Sequence, residues 1–158
     1  MALFIPRVFS LFMFFLISNK EVKKKILPIA HKQSVIKQSS HLMIFAALES
    51  YTTERVNQHF YYINKQRNMP DATSDDYRKM VLALFEKHTF EQHFNHAAKQ
   101  SYVGLCYTTI AAANKNADAT PMEGFNAQAL DELLELKKLD LKFTAILALD
   151  IETKKQIG

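Results

Sequence analysis

Three short apolar runs constrain this chain more than any other feature of its sequence: Phe12 to Ile17 (FMFFLI), His41 to Leu48 (HLMIFAAL) and Phe143 to Leu149 (FTAILAL). None approaches the roughly 20 residues that a helix needs to cross a bilayer. Each is continuously apolar, which is the pattern of a strand covered on both faces. A sheet of that kind has to be covered by helices, and the sequence between the runs is suited to forming them. Only three glycines and four prolines occur in 158 residues, so little of the chain is built for loops. Strands mixed with long helices predict a layered α+β or α/β fold. At this length one domain is expected, able to bury about two-thirds of its unfolded surface.

The first run has a second reading. Extended upstream it becomes Leu3 to Ile17 (LFIPRVFSLFMFFLI), which could serve as a signal peptide or an anchor. No Lys or Arg precedes it, Pro6 and Arg7 interrupt it, and no small-residue cleavage site follows. A buried strand over Phe12 to Ile17 is the preferred reading; a membrane-associated segment over Leu3 to Ile17 is the alternative.

Helical spacing organises the remainder. Lys20 to Ala30 places Val22, Ile26 and Ala30 on one face. Thr53 is positioned to cap a helix carrying Val56, Phe60 and Ile63, which Asn68 to Ser74, with Pro70, breaks. A second helix turns Tyr77, Val81, Leu84 and Phe85 inward. Thr89 and Gln92 have capping-box spacing and open a long helix ending near Asn114 to Asn116. Its stripe runs through Phe94, Ala97, Ala98, Ser101, Tyr102, Leu105 and Ala112. The small residues Ala97, Ala98, Ser101 and Gly104 predict close approach by another helix, across a two-fold axis between copies. Asp118 to Phe125 then leads into a helix over Asn126 to Leu136, with Leu130, Leu133 and Leu134 apolar.

Charge and cysteine content narrow the function. The net charge is +4, with Lys20, Lys23, Lys24, Lys25, Lys154 and Lys155 contributing much of the excess. These lysines punctuate helices without aromatic neighbours, so they read as solvated faces and not as a nucleic-acid surface. Cys106 is the single cysteine, which fits a reducing, cytoplasmic setting, and on its stripe it reads as a small buried hydrophobe. His88, His93 and His96 fall close together but offer three metal ligands at best, across a helix start. Helix packing explains them better than a zinc site. No Gly-rich phosphate loop, CxxC, HExxH or GxSxG motif occurs, so no catalytic residue and no metal ligand is assigned.

One segment carries candidate chemistry: Ala119-Thr120-Pro121-Met122-Glu123-Gly124-Phe125. A strand-like stretch runs into Glu-Gly and then a capped helix. Such a turn exposes backbone N–H groups, and the glycine permits close backbone approach or a positive φ. It could donate to a planar, electron-accepting ring, or be a plain strand-to-helix turn.

The segment AAKQSYVGLCYTTIAAANKNADATPMEGFNAQALDELLELKK resembles the long helix, P-x-E-G-F turn and following helix of the nitroreductase family. SNKEVKKKILPIAHKQSVIKQSSHLMIFAA resembles that family's strand, short helix and second strand, and FTAILAL its next strand. The resemblance covers about residues 11 to 150. It implies an α+β fold with a mixed sheet flanked by helices, and an intertwined homodimer with FMN at the subunit interface. It also implies hydride transfer from NAD(P)H through the flavin to a quinone or nitroaromatic acceptor. Pro121, Met122, Glu123 and Gly124 would then lie beside the flavin ring. MALFIPRVFS stands where the family has an Arg-containing phosphate grip, Asn114 to Ala117 replaces a Leu-Gly turn, and Asp150 stands where glycine is common. The chain is therefore expected to be a domain incomplete at both ends relative to the family, with weakened FMN binding. The alternative is a non-catalytic, truncated remnant that associates through its helices.

Overall fold

The computed structural model describes residues 11–150. Leu3 to Ser10, including Pro6 and Arg7, lies outside the described residues, as do Lys154 and Lys155. Strand β1 (Phe12–Ile17) is followed by helices α1 (Lys20–Ile29) and α2 (Ser34–Gln38), then by β2 (His41–Leu48). Helices α3 (Thr53–Gln66), α4 (Asp75–Phe85) and α5 (Phe90–Asn114) come next. Strand β3 (Asp118–Met122), helix α6 (Ala127–Leu133) and strand β4 (Leu141–Asp150) complete the order. The sheet runs β1-β2-β4-β3, and all three pairings among the described strands are antiparallel.

The continuous apolar runs reflect burial on both sides of β2 and β4. Phe45, Ala145 and Leu147 pack with Leu105 of α5 on one face. Leu42, Ile44, Ile146 and Ala148 pack with Ile26, Ile36, Leu130 and Leu136 in the larger cluster on the other. Because side chains alternate along a strand, such a sheet needs apolar residues at consecutive positions.

The register has one irregularity that matters for the site. Phe45 faces Ala145, but Ala46 faces Phe143, so Thr144 is the extra residue of a β-bulge in β4. Thr144 and Ala145 consequently both serve the α5 side. The Thr144 hydroxyl donates to the Phe45 carbonyl at 3.1 Å and accepts from Ser101 Oγ at 2.9 Å. A bulge leaves its extra residue outside the ladder. Here that residue is satisfied from α5.

Helix α5 begins at the expected capping box. Gln92 N donates to Thr89 Oγ1 at 3.2 Å, and Thr89 N donates to Gln92 Oε1 at 2.8 Å. Within the chain, among the described residues, its small residues face the sheet and not another helix. Ala97, Ser101 and Leu105 are buried, and α5 lies on β2 and β4 of its own chain. A Cβ on Gly104 would stand 2.4 Å from Cζ of Phe12, so the close approach at that glycine is to β1. The reason is geometric: a line of residues four apart faces one partner, and the chain's own sheet is the nearest apolar surface. Cys106, one position off that line, is exposed and is not the buried thiol expected.

Other expectations shift. The cap of α3 is Thr52, whose side chain accepts from Arg55 N at 3.2 Å, and not Thr53. Helix α4 was expected to bury Tyr77 and Leu84, but both are more than half exposed. Tyr77, Val81 and Phe85 border an open apolar cavity of about 710 Å³, shared with Val56, Phe60 and Phe12. The apolar period of α4 is real, but a cavity takes the place of packed core. Helix α6 ends at Leu133, and Leu136 is buried from a short 3-10 turn beyond it.

No helix among the described residues is long and apolar enough to cross a membrane.

Candidate functional site

Pro121 and Met122 end strand β3, and Glu123 and Gly124 lead to Asn126, the N-cap of α6. The strand is short because Pro121 supplies no ladder N–H, which confines it to a sheet edge. Asn126 stops the extended run by capping: its side chain accepts from Ala129 N at 3.1 Å. Proline, glycine and a capping asparagine within six residues thus fix the turn locally.

Long-range contacts then pin it from three directions. Asn126 N donates to the Ile29 carbonyl at 3.2 Å, tying the turn to the end of α1. Gln33 Nε2 donates to the Gly124 carbonyl at 3.1 Å. The Tyr102 hydroxyl of α5 donates to Glu123 Oε1 and also approaches the carbonyl of the bulged Thr144 at 3.3 Å. Phe125 meets Phe143 edge to face, with centroids 5.1 Å apart. Burial and the neighbouring Glu123 carboxylate push the Tyr102 phenol up to about 12, so it is a neutral donor at physiological pH.

The four predicted site residues sit together but differ in what they expose. Met122 is buried, so its side chain belongs to the core. The Glu123 side chain is held by Tyr102, leaving its backbone as the accessible part. Gly124 does not have a positive φ. A Cβ built on it meets nothing within 4 Å, so the chain's own packing does not require glycine there. The space is open to a ligand. Neither the Glu123 nor the Gly124 amide serves a turn, cap or side-chain acceptor among the described residues.

The histidines form a packing cluster. His93 stacks on Tyr51 with centroids 4.9 Å apart, accepts from Tyr51 N at 3.4 Å through Nδ1, and lies 2.9 Å from the Phe85 carbonyl through Nε2. With Nδ1 accepting from Tyr51 N, Nε2 is the nitrogen left to donate to the Phe85 carbonyl. His96 Nδ1 pairs with the Tyr51 hydroxyl at 2.8 Å, and burial raises the Tyr51 phenol far above its ordinary range. No group of three or more His, Cys, Asp or Glu among the described residues could hold a metal.

Sequence reasoning placed Tyr102 on an apolar stripe and missed its hydroxyl as an anchor of the turn. The signal was weak: a tyrosine on a buried stripe needs a polar partner for its hydroxyl.

No protein-family model matches this sequence, and no curated protein does. Solved structures do. The Bacillus subtilis protein described as the nitroreductase ydfN superposes with a TM-score of 0.80 at 14% identity, over 92% of this chain and 69% of that one. A protein described as an NAD(P)H:FMN oxidoreductase from Staphylococcus epidermidis gives 0.81 at 13%, over 92% and 68%. One described as a nitroreductase in complex with FMN, from Exiguobacterium sibiricum, gives 0.77 at 15%, over 92% and 70%. The chain has the nitroreductase fold. The α+β fold with a helix-flanked sheet that the resemblance implied is the architecture found; the sheet was expected to be mixed, and among the described strands it is antiparallel throughout.

Proposed function

We propose that this chain is an FMN-dependent oxidoreductase of the nitroreductase type, with the flavin ring edge against the backbone of Pro121 to Gly124. The observation that carries this reading is the Glu123–Gly124 backbone, open to a ligand and pinned by Tyr102, Gln33 and the Ile29 carbonyl, within a fold shared with an FMN-bound protein. These residues fit the flat edge of a flavin: the space at Gly124 is one that a Cβ would fill. Bound there, FMN would carry hydride from NAD(P)H to a small acceptor such as a quinone or nitroaromatic. The protein's part is to orient. Tyr102 holds the Glu123 carboxylate, and the Glu123 and Gly124 amides would donate to an electron-rich ring atom.

A homodimer is part of the proposal. Val103, Tyr107 and Ile110 make an exposed apolar line at i, i+4 and i+7 on the side of α5 away from the sheet, and this line suits a second copy. The same line supports the second reading, a non-catalytic module that associates through α5.

Titration of FMN, followed by flavin fluorescence, tests the proposal with wild type and Gly124→Val. A Cβ at Gly124 meets nothing within 4 Å and the backbone there has no positive φ, so the fold should persist by circular dichroism. Wild type is expected to bind at about micromolar affinity or weaker, and the variant to lose binding. Equal binding by both would remove the site. No binding by either would leave the association reading.

A further inference from the structure

The lysine run that reads as one solvated face is divided by the fold. Lys20, Lys23, Lys24 and Leu27 share a face of α1, and with Lys37 of α2 they line a cleft of about 200 Å³. No acidic residue lines it among the described residues. Lys23 is only 6% exposed, and its ammonium donates to the Ser39 carbonyl, which is one acceptor for a group with three donors. Burial, and then the charge of Lys20, hold the Lys23 pKa below the usual lysine range, while Asp150 of β4 acts weakly the other way. Glu21 is engaged with Lys24 at 2.8 Å, with both side chains largely exposed.

Converging like charges around a buried ammonium are unfavourable unless an anion joins them. The helix terminus is not what would bind it. Asn19 already accepts from Glu21 N and Val22 N through its side chain, and from Lys23 N through its carbonyl. Lysine ammoniums are compact point charges without the planar fork of arginine, so they suit a multiply charged tetrahedral group better than a flat carboxylate. The volume accommodates one or two phosphate groups.

We propose that the α1–α2 cleft binds a phosphate group bearing at least two negative charges, carried by a small soluble phosphate ester or diphosphate or by a lipid headgroup, independently of the flavin turn. The two sites are separate on α1. The turn contacts its end at Ile29, while the α1 lysines of the cleft, Lys20, Lys23 and Lys24, lie roughly 7 to 13 Å away along the axis.

Calorimetric titration of the full chain with inorganic pyrophosphate at low salt tests this. Lys20→Gln/Lys37→Gln alters two exposed side chains, so the fold should be unaffected. Lys87→Gln/Lys115→Gln removes the same charge elsewhere and serves as the control. Wild type and control should bind alike, and the cleft variant at least tenfold more weakly. Lys23→Met should also lose binding while keeping its circular dichroism spectrum. Absence of pyrophosphate binding by wild type, an equal loss in the control, or displacement of pyrophosphate by riboflavin, which carries the flavin ring without a phosphate, would overturn the proposal. Phosphatidic acid vesicles separate the two sources: co-sedimentation reversed by pyrophosphate assigns a lipid headgroup, and pyrophosphate binding without co-sedimentation assigns a soluble phosphate.

Discussion

Replacing Thr144 with valine tests how the bulge in β4 is held, because the change keeps side-chain size while removing the hydroxyl. That hydroxyl donates to the Phe45 carbonyl at 3.1 Å and accepts from Ser101 Oγ at 2.9 Å, and both residues are almost fully buried. Ser101 has a second acceptor, the Ala98 carbonyl at 2.8 Å, so its proton is not stranded. What the variant loses is one neutral hydrogen bond and the donor at Phe45, about 1–3 kcal/mol in total. Ser101→Ala should cost about 1 kcal/mol, because Thr144 keeps its bond to Phe45. The double variant should cost little more than Thr144→Val alone, giving a coupling of about 1 kcal/mol. Urea denaturation reads all three through the midpoint at constant m-value. Strictly additive costs, or a Thr144→Val cost below about 0.5 kcal/mol, would refute the claim that this relay satisfies the bulge.

Two further outcomes are expected. Gly104→Ala gains about 1 kcal/mol of helix propensity but drives a methyl into the Phe12 ring, so it should destabilise the wild type by about 1 kcal/mol net and stabilise a Phe12→Ala background; stabilisation in both backgrounds, measured by urea unfolding, would show that α5 does not approach β1 there. The raised Tyr102 pKa favours the neutral phenol in the folded state, so its stabilising contribution is present below about pH 10 and is lost as pH rises toward about 12; Tyr102→Phe should flatten the fall in melting temperature over that window, and an unchanged slope would count against the Glu123 contact.

The parts of the fold that could be read from sequence are those set by short-range rules. Phe12 to Ile17 and His41 to Leu48 agree with β1 and β2 at both ends; the run of β2 is buried from Ile44 to Leu48, while β1 is an edge strand half-buried except at Ile17. The Thr89–Gln92 capping box marks the start of α5 because both hydrogen bonds span three residues. Periodicity gives an apolar face but not its partner. That is why Tyr77 was turned inward where a cavity lies, why Leu84 was counted as core although it is exposed, and why the small residues of α5 were given a second helix when within the chain they lie on the sheet. The buried state of Lys23 depends on Ser39, and the role of Tyr102 on Glu123 and on a bulge at Thr144. These are consequences of tertiary register, and no local pattern carries them.

The candidate site follows from the same division. Locally, β3 ends at Met122, one residue after Pro121 on the sheet edge, and Asn126 starts α6, so Glu123 to Phe125 have to turn the chain. Tertiary structure decides which side of that turn is occupied. Tyr102, Gln33 and the Ile29 carbonyl take the Glu123 side chain, the Gly124 carbonyl and the Asn126 amide. None of them takes the Gly124 Cα face, where a Cβ would touch nothing. A glycine retained for packing would have a neighbour, as Gly104 has in Phe12. Gly124 has none. The space beside it is where the proposed flavin edge would approach the turn.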